Sequence, residues 1–410
     1  MKSKKLLLSF IAIALMAVNV SCSSDDDLEV TTTEKKLENY DNDLIAQSAI
    51  SFVKSLKGPT TRAASKVAVK GIQKMQLDIP TDTRAANTND YPDFYSVGLE
   101  DSMGTVILAD KNNTIAPLAY FQGENNIDIN EVLEDSVSTL SFILQTLVEQ
   151  NLDMEEESPT AKTRAVTNTI VERLEPKCKV WWHQEYPFNL YCPMKGDKRT
   201  LAGCTAIAAA QALTVLRPNE PIISSWDDVI AEDPFWATFY ITSTMSEIAT
   251  LIHEIGVNIN MDYRTKEEGG SGAKESDLIN YLKRKYGVVD YDCKRAIEVL
   301  KTPHGVIIVG GFAEKKKSGI LFWRKTKYYS GHEFIADGYV KYGNIGTRKN
   351  DDPYYLHINY GGGENCSKEA YILSANKNYT NDAENYTYNG KIYRYNITYS
   401  TLTYPSERFW

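Results

Sequence analysis

The sequence predicts an α+β fold in two parts, a small N-terminal unit and a larger second domain. Three observations predict it. Chain length is the first: 410 residues exceed one average domain and leave volume for two cores. The second is the periodicity of the first third, where a helical pattern, three β-rich runs and another helical pattern follow one another. The third is the order in the remainder, with helices first and strands from Gly305 onward, as expected for helices packed on an antiparallel sheet.

The chain opens with Lys2, Lys4 and Lys5, then a run from Leu6 to Val18 interrupted by Ser9. That is the charge-then-apolar order of an export signal, and it is too short to span a bilayer comfortably. It ends at Val20-Ser21-Cys22, which resembles the cleavage box of a bacterial lipoprotein, although Asn19 stands where such boxes usually carry Leu. The resemblance implies a signal peptide over 1–21, acylation of Cys22 and an exported lipoprotein at the outer membrane or cell surface. Ser23 to Asp27 resembles the acidic export signal of some surface lipoproteins. Residues 22–40, acidic and Thr-rich, read as a flexible tether.

From Asp41, Ile45, Ala49, Phe52, Val53 and Leu56 recur at helical spacing up to Gly58-Pro59. Tyr95 to Leu99, Thr105 to Ala109 and Ile115 to Phe121 read as strands, and Val132 to Val148 as a helix. The unit 41–164 ends in a polar linker from Glu155 whose last residues are Thr163-Arg164-Ala165. The same Thr-Arg-Ala tripeptide occurs at 61–63 and 83–85. Exposed Arg-Ala bonds are places for a protease to cut, and Arg164-Ala165 is the expected activation site.

The second domain, 165–410, carries the chemistry. Leu201-Ala202-Gly203-Cys204 leads into unbroken helix formers through Leu213. Cys204 is thus placed at a helix N-terminus, where free amides and the dipole favour thiolate, the form a sulfur nucleophile needs. Such a nucleophile needs a base. Of the 5 histidines, His332 begins a strand directly after Gly331, which leaves room for a substrate backbone. His183 adjoins tryptophans, His253 lies mid-helix, His304 sits in a turn, and His357 reads as structural. Asn359 could hold an imidazole in one tautomer, with Tyr360 shielding that bond. Gln184 could join the Cys204 amide around an oxyanion.

Gln184, Cys204, His332 and Asn359 stand in the chain order of papain-like peptidases. The wording around Gln184 to Pro193, Gly203 to Gln211, Gly331 to Tyr339 and Asn359 to Gly363 resembles the streptopain family more closely. Residues 41–150, especially Phe94 to Phe121, are similar to that family's propeptide. The resemblance implies a papain-like two-subdomain peptidase domain behind a small α+β inhibitory pro-domain. It implies peptide-bond hydrolysis by Cys204, proton exchange by His332, oxyanion support from Gln184 and orientation by Asn359, on protein or peptide substrates. This chain departs from the family at Tyr360, where the family has Trp, and in a lengthened loop, Lys315 to Ser330.

Other classes fit poorly. A net charge of −9 and a single short basic cluster, Lys315 to Lys317, give nucleic acid no footing. The histidines and cysteines show no metal-ligand spacing, and thiol hydrolysis needs no cofactor. Two alternatives use the same residues: a catalytically silent surface relative that binds or inhibits, and acyl transfer or amide hydrolysis on a non-protein substrate. Cys178, Cys192, Cys293 and Cys366 allow three full pairings in an oxidising compartment, and spacing does not choose among them.

Overall fold

Alternation of apolar side chains along successive strands lets one sheet run through both parts of the chain. The computed structural model describes residues 28–57, 66–75, 92–112, 114–123, 169–291, 295–318, 325–343, 354–362, 370–373 and 398–406, with Leu140, Ile143, Leu144 and Leu147 between them. Asp43–Trp410 packs as one unit, and its architecture is as follows.

The N-terminal part supplies α1 (Leu28–Lys57), β1 (Val69–Lys74), β2 (Asp93–Leu99), β3 (Thr105–Lys111) and β4 (Thr114–Phe121). The helix expected from Asp41 starts at Leu28, inside the stretch expected to be a tether. β5 (Thr169–Leu174) leads into the second part, where β6 (Met194–Lys195) and β7 (Lys198–Arg199) form a small hairpin. The helices α2 (Cys204–Leu216), α3 (Trp226–Ala231), α4 (Ser243–Asn258) and α5 (Glu275–Tyr286) follow. After β8 (Val289–Tyr291) and α6 (Ala296–Lys301) come β9 (Val306–Ser318), β10 (Lys325–Gly343), β11 (Tyr354–Asn359), β12 (Ala370–Leu373) and β13 (Thr398–Thr403). The predicted α+β order is observed.

An 11-stranded sheet orders these strands β1-β2-β3-β4-β12-β11-β10-β9-β13-β8, with β5 paired to β10. The junction between the two parts is a ladder: Phe121, Tyr120 and Ala119 of β4 lie opposite Ala370, Tyr371 and Ile372 of β12. Neither side can leave this sheet without exposing an edge.

Both faces of that junction are packed. On one, Ile45, Ala49, Phe52, Val53 and Leu56 of α1 meet Val340, Tyr342, Tyr355 and Tyr371. Phe52 lies 4.8 Å, centroid to centroid, from Tyr355. On the other, Phe94, Phe121, Ile143, Leu144 and Leu147 join Ile307, Phe334, Leu356 and Tyr360. Each such fully buried side chain contributes roughly 1.5–3 kcal/mol of transfer free energy. A third core lies between the sheet and α2, α4 and α5, with Ala206, Leu213, Ile252 and Leu278 against Ile308, Ile335 and Leu402.

The lengthened segment before His332 is not a simple loop. Its described parts extend the ladder between β9 and β10, from Gly331↔Phe312 out to Lys325↔Ser318. Cys178 and Cys192 are free, buried thiols, so the full pairings left open by the sequence do not form; Cys293 and Cys366 lie outside the described residues, as do Cys22, Arg164 and Ala165.

Candidate active site

α2 is buried along its whole length, which its run of alanines allows, since small side chains let the sheet and α4 approach closely. Gly203 begins it at φ 89°, a left-handed conformation natural to glycine. A Cβ there would stand 2.7 Å from the Met261 sulfur. The approach to Cys204 is fixed by main-chain bonds: Leu201 N–H donates to Arg264 O (2.9 Å), and Ala202 N–H to Gln184 O (2.9 Å). The Ser271 hydroxyl braces the same turn by donating to Leu201 O at 2.7 Å. Gln184 therefore lies beside the entry to α2 through its main chain.

The opposite wall is β10. Its backbone alternation sends Ile335 to the α2 core and Phe334 to the opposite core, where Tyr360 also lies. By the same alternation Glu333 shares the face of Ile335. Thr205, His332 and Glu333 line a cavity of about 530 Å³, bounded on its far side by residues of 260–277. Among the described residues, none lining it comes from the N-terminal part.

The electrostatics at Cys204 differ from the expectation of a dipole-activated thiolate. Burial first, then the Glu333 carboxylate, push its thiol up to about 11, against the opposing pull of the Glu333 and Thr205 amides and the Thr205 hydroxyl. Desolvation outweighs the helix terminus here. The sulfur is a protonated thiol at neutral pH. Glu333 is itself pushed up to about 8 by burial and by the nearby Glu275, opposed by the Thr205 hydroxyl.

Asn359 also sits differently from expectation. Its Oδ1 accepts from Gln211 Nε2 at 2.9 Å and from the Gly361 N–H at 3.3 Å, while its Nδ2 donates to Val180 O at 2.5 Å. The amide ties β11 to α2 and to the segment before Trp182, and His332 is not among its hydrogen-bond partners. Tyr360 packs into the core shared with the N-terminal part, its ring edge-on to Phe121 at 6.2 Å, so it does not cover an Asn359–His332 bond. Gly331 is placed in β10 opposite Phe312.

His357 forms a pair with Asp337, Nδ1 to Oδ1 2.6 Å, with both side chains buried. Asp337 Oδ2 accepts from the Cys178 N–H at 2.6 Å. This supports the structural reading of His357. Two residues escaped the sequence reading, Glu333 and Asp337. Their common signal is an acidic residue inside an otherwise apolar strand, His332 to Tyr339, where a buried carboxylate requires a partner or a purpose. Cys178, pushed up to about 12 by burial and by Asp337, is an inert core thiol.

Residues 182–371 match the Peptidase C10 family. The C10 segment contains α2 with Cys204, the whole of β10 with His332, and β11 with Asn359, and it makes the chain a cysteine-type peptidase. Among solved structures, the chain is similar to a prointerpain A fragment of Prevotella intermedia in a cysteine-to-alanine mutant, at 17% identity over 82% of this chain and 100% of that one, TM-score 0.47. It is also similar to active wild-type interpain A cysteine protease of the same organism, at 20% identity over 54% of this chain and 99% of that one, TM-score 0.31. No curated protein matches the chain.

Proposed function

We propose that the chain is the precursor of a lipid-anchored endopeptidase, with Cys204 as nucleophile, His332 as proton carrier and residues 41–164 as an inhibitory pro-domain. The observation that carries this reading is that Thr205, the neighbour of Cys204 at the head of α2, lines the same cavity as His332 inside the C10 segment. The other described histidines are engaged elsewhere: His183 sits edge-on to Phe188, His253 approaches Tyr263, His304 sits edge-on to Tyr404 and His357 pairs with Asp337.

In the reaction His332 takes the thiol proton and the Cys204 sulfur attacks the scissile carbonyl carbon. The oxygen becomes an oxyanion, which in this reading the Cys204 N–H and Gln184 support. Its collapse breaks the C–N bond, and the amine leaves with the proton from His332. Water, losing a proton to His332, then attacks the thioester and releases the acid and the thiol.

Inhibition in this reading does not require a plug. The N-terminal part is continuous with the sheet that carries His332 and Asn359, so its ladder and both cores hold β10–β12 with Cys204 buried and protonated. Removing it frees β12 and the Tyr360 face and lets the wall opposite α2 adjust. The test is thiol labelling: a cysteine-directed probe should modify Cys204 slowly in the precursor and rapidly after cleavage at Arg164-Ala165, with peptide hydrolysis rising in step. Equal labelling before and after would contradict the zymogen reading.

Export and anchoring rest on the N-terminal pattern, from Lys2 to Cys22. Among the described residues no helix is long and apolar enough to cross a membrane.

A further inference from the structure

The side chain after His332 is a carboxylate that the mechanism above does not use. Glu333 is 8% exposed and lines the cavity beside Cys204. The Thr205 hydroxyl acts on its carboxyl, yet Oε2 is buried with no hydrogen-bond partner. A buried acceptor left empty costs about 1–3 kcal/mol, so it either weakens the fold for nothing or awaits a donor. Around it the cavity carries Asp262, Glu275 and Asp277 against His332 and the exposed Lys274, and no salt bridge joins Lys274 to Glu333. The volume of about 530 Å³ is within the range of ligand pockets, roughly 300–1,000 Å³.

We propose that this cavity is a specificity subsite for a cationic side chain, Lys or Arg, of the peptide substrate, with Glu333 as the carboxylate that selects it. The inference rests on the peptidase reading and adds the substrate class. A guanidinium entering the pocket supplies the donors that Oε2 lacks. It also reverses what holds Glu333 neutral, since burial and the Glu275 charge raise the carboxyl while a cation lowers it. The chain's own Thr-Arg-Ala segments, 61–63, 83–85 and 163–165, then present the preferred side chain to the enzyme.

The test compares paired peptides that carry Arg or its neutral near-isostere citrulline at each position flanking the scissile bond, using the full-length protein after processing. At one position kcat/KM for Arg should exceed that for citrulline by about tenfold to a hundredfold, the worth of one hydrogen-bonded charge pair. In Glu333→Gln the ratio at that position should fall towards one. Equal cleavage of Arg and citrulline peptides by the wild type at every position overturns the subsite, without recourse to a variant. So does a Glu333→Gln enzyme that keeps the full Arg preference. Absence of cleavage of any peptide would instead contradict the peptidase reading, and the inference would fall with it.

Discussion

The Phe121 ring of β4 stands edge-on to Tyr360, next in sequence to Asn359, with ring centroids 6.2 Å apart and planes at 86°. Phe121 also ends the ladder to β12, opposite Ala370. One residue of the N-terminal part therefore holds both an end of the β4–β12 ladder and the residue beside Asn359. Phe121→Ala is expected to destabilise the precursor by about 3–5 kcal/mol, as for other large buried aromatics, and to speed thiol labelling of Cys204. Urea unfolding and labelling rates check this together. A loss of stability with unchanged labelling would mean the contact does not restrain the site.

Glu333 gives a pH dependence with a definite sign. Its folded-state value is raised from 4.5 to about 8, by burial first and by Glu275 second. Its contribution is therefore fully present below the unfolded value and is lost as pH rises through the folded one. Glutamine at this position does not titrate. The stability of Glu333→Gln relative to wild type should thus rise between about pH 4.5 and pH 8, by on the order of a few kcal/mol. Thermal melts across that window measure it; a difference that is flat with pH would contradict the burial of this carboxyl.

Asp337 joins two strands and the segment before α2, bonding the His357 ring on β11 and the Cys178 amide from its own place on β10. Asp337→Asn keeps the shape and replaces the carboxyl group that the His357 ring and the Cys178 amide bond. A loss of roughly 3–5 kcal/mol is expected, the cost of breaking a buried pair. Chemical denaturation reads it. A change under about 1 kcal/mol would show the pair to be no stronger than an exposed one.

Cys22 carries the proposed lipid. Cys22→Ser in the expressing bacterium should abolish incorporation of radiolabelled palmitate and move the protein from the membrane fraction to the soluble exported one. Unchanged fractionation with no label in either form would rule the anchor out.

The elements that local pattern dictates were legible in the sequence. The Ala-rich run after Gly203 reads directly as α2, and Glu275–Tyr286 as α5, because periodicity and small-residue packing are properties of neighbouring positions. What was not legible is long-range. That β4 would pair with β12 joins residues some 250 positions apart, and alternation says which residues share a face but not which strand lies alongside. The amide of Asn359 is a further case. Sequence offers an Asn near a His, whereas the structure commits that side chain to Gln211 and Val180, and only the packing of α2 on the sheet decides between them. Glu333 is hard to single out from sequence because its neighbour His332 is the more obvious candidate for chemistry, although an acid between His332 and the apolar Phe334-Ile335-Ala336 is the more unusual residue for a buried strand.

The central claim is that Cys204 performs the hydrolysis. The most direct test treats wild type and Cys204→Ala alike with an arginine-specific protease, removes that protease, and measures hydrolysis of a peptide substrate by each. Robust cleavage by the processed wild type is expected, with a fall of more than about a thousandfold in Cys204→Ala, as for loss of a covalent nucleophile. Comparable cleavage by the Cys204→Ala protein would contradict it.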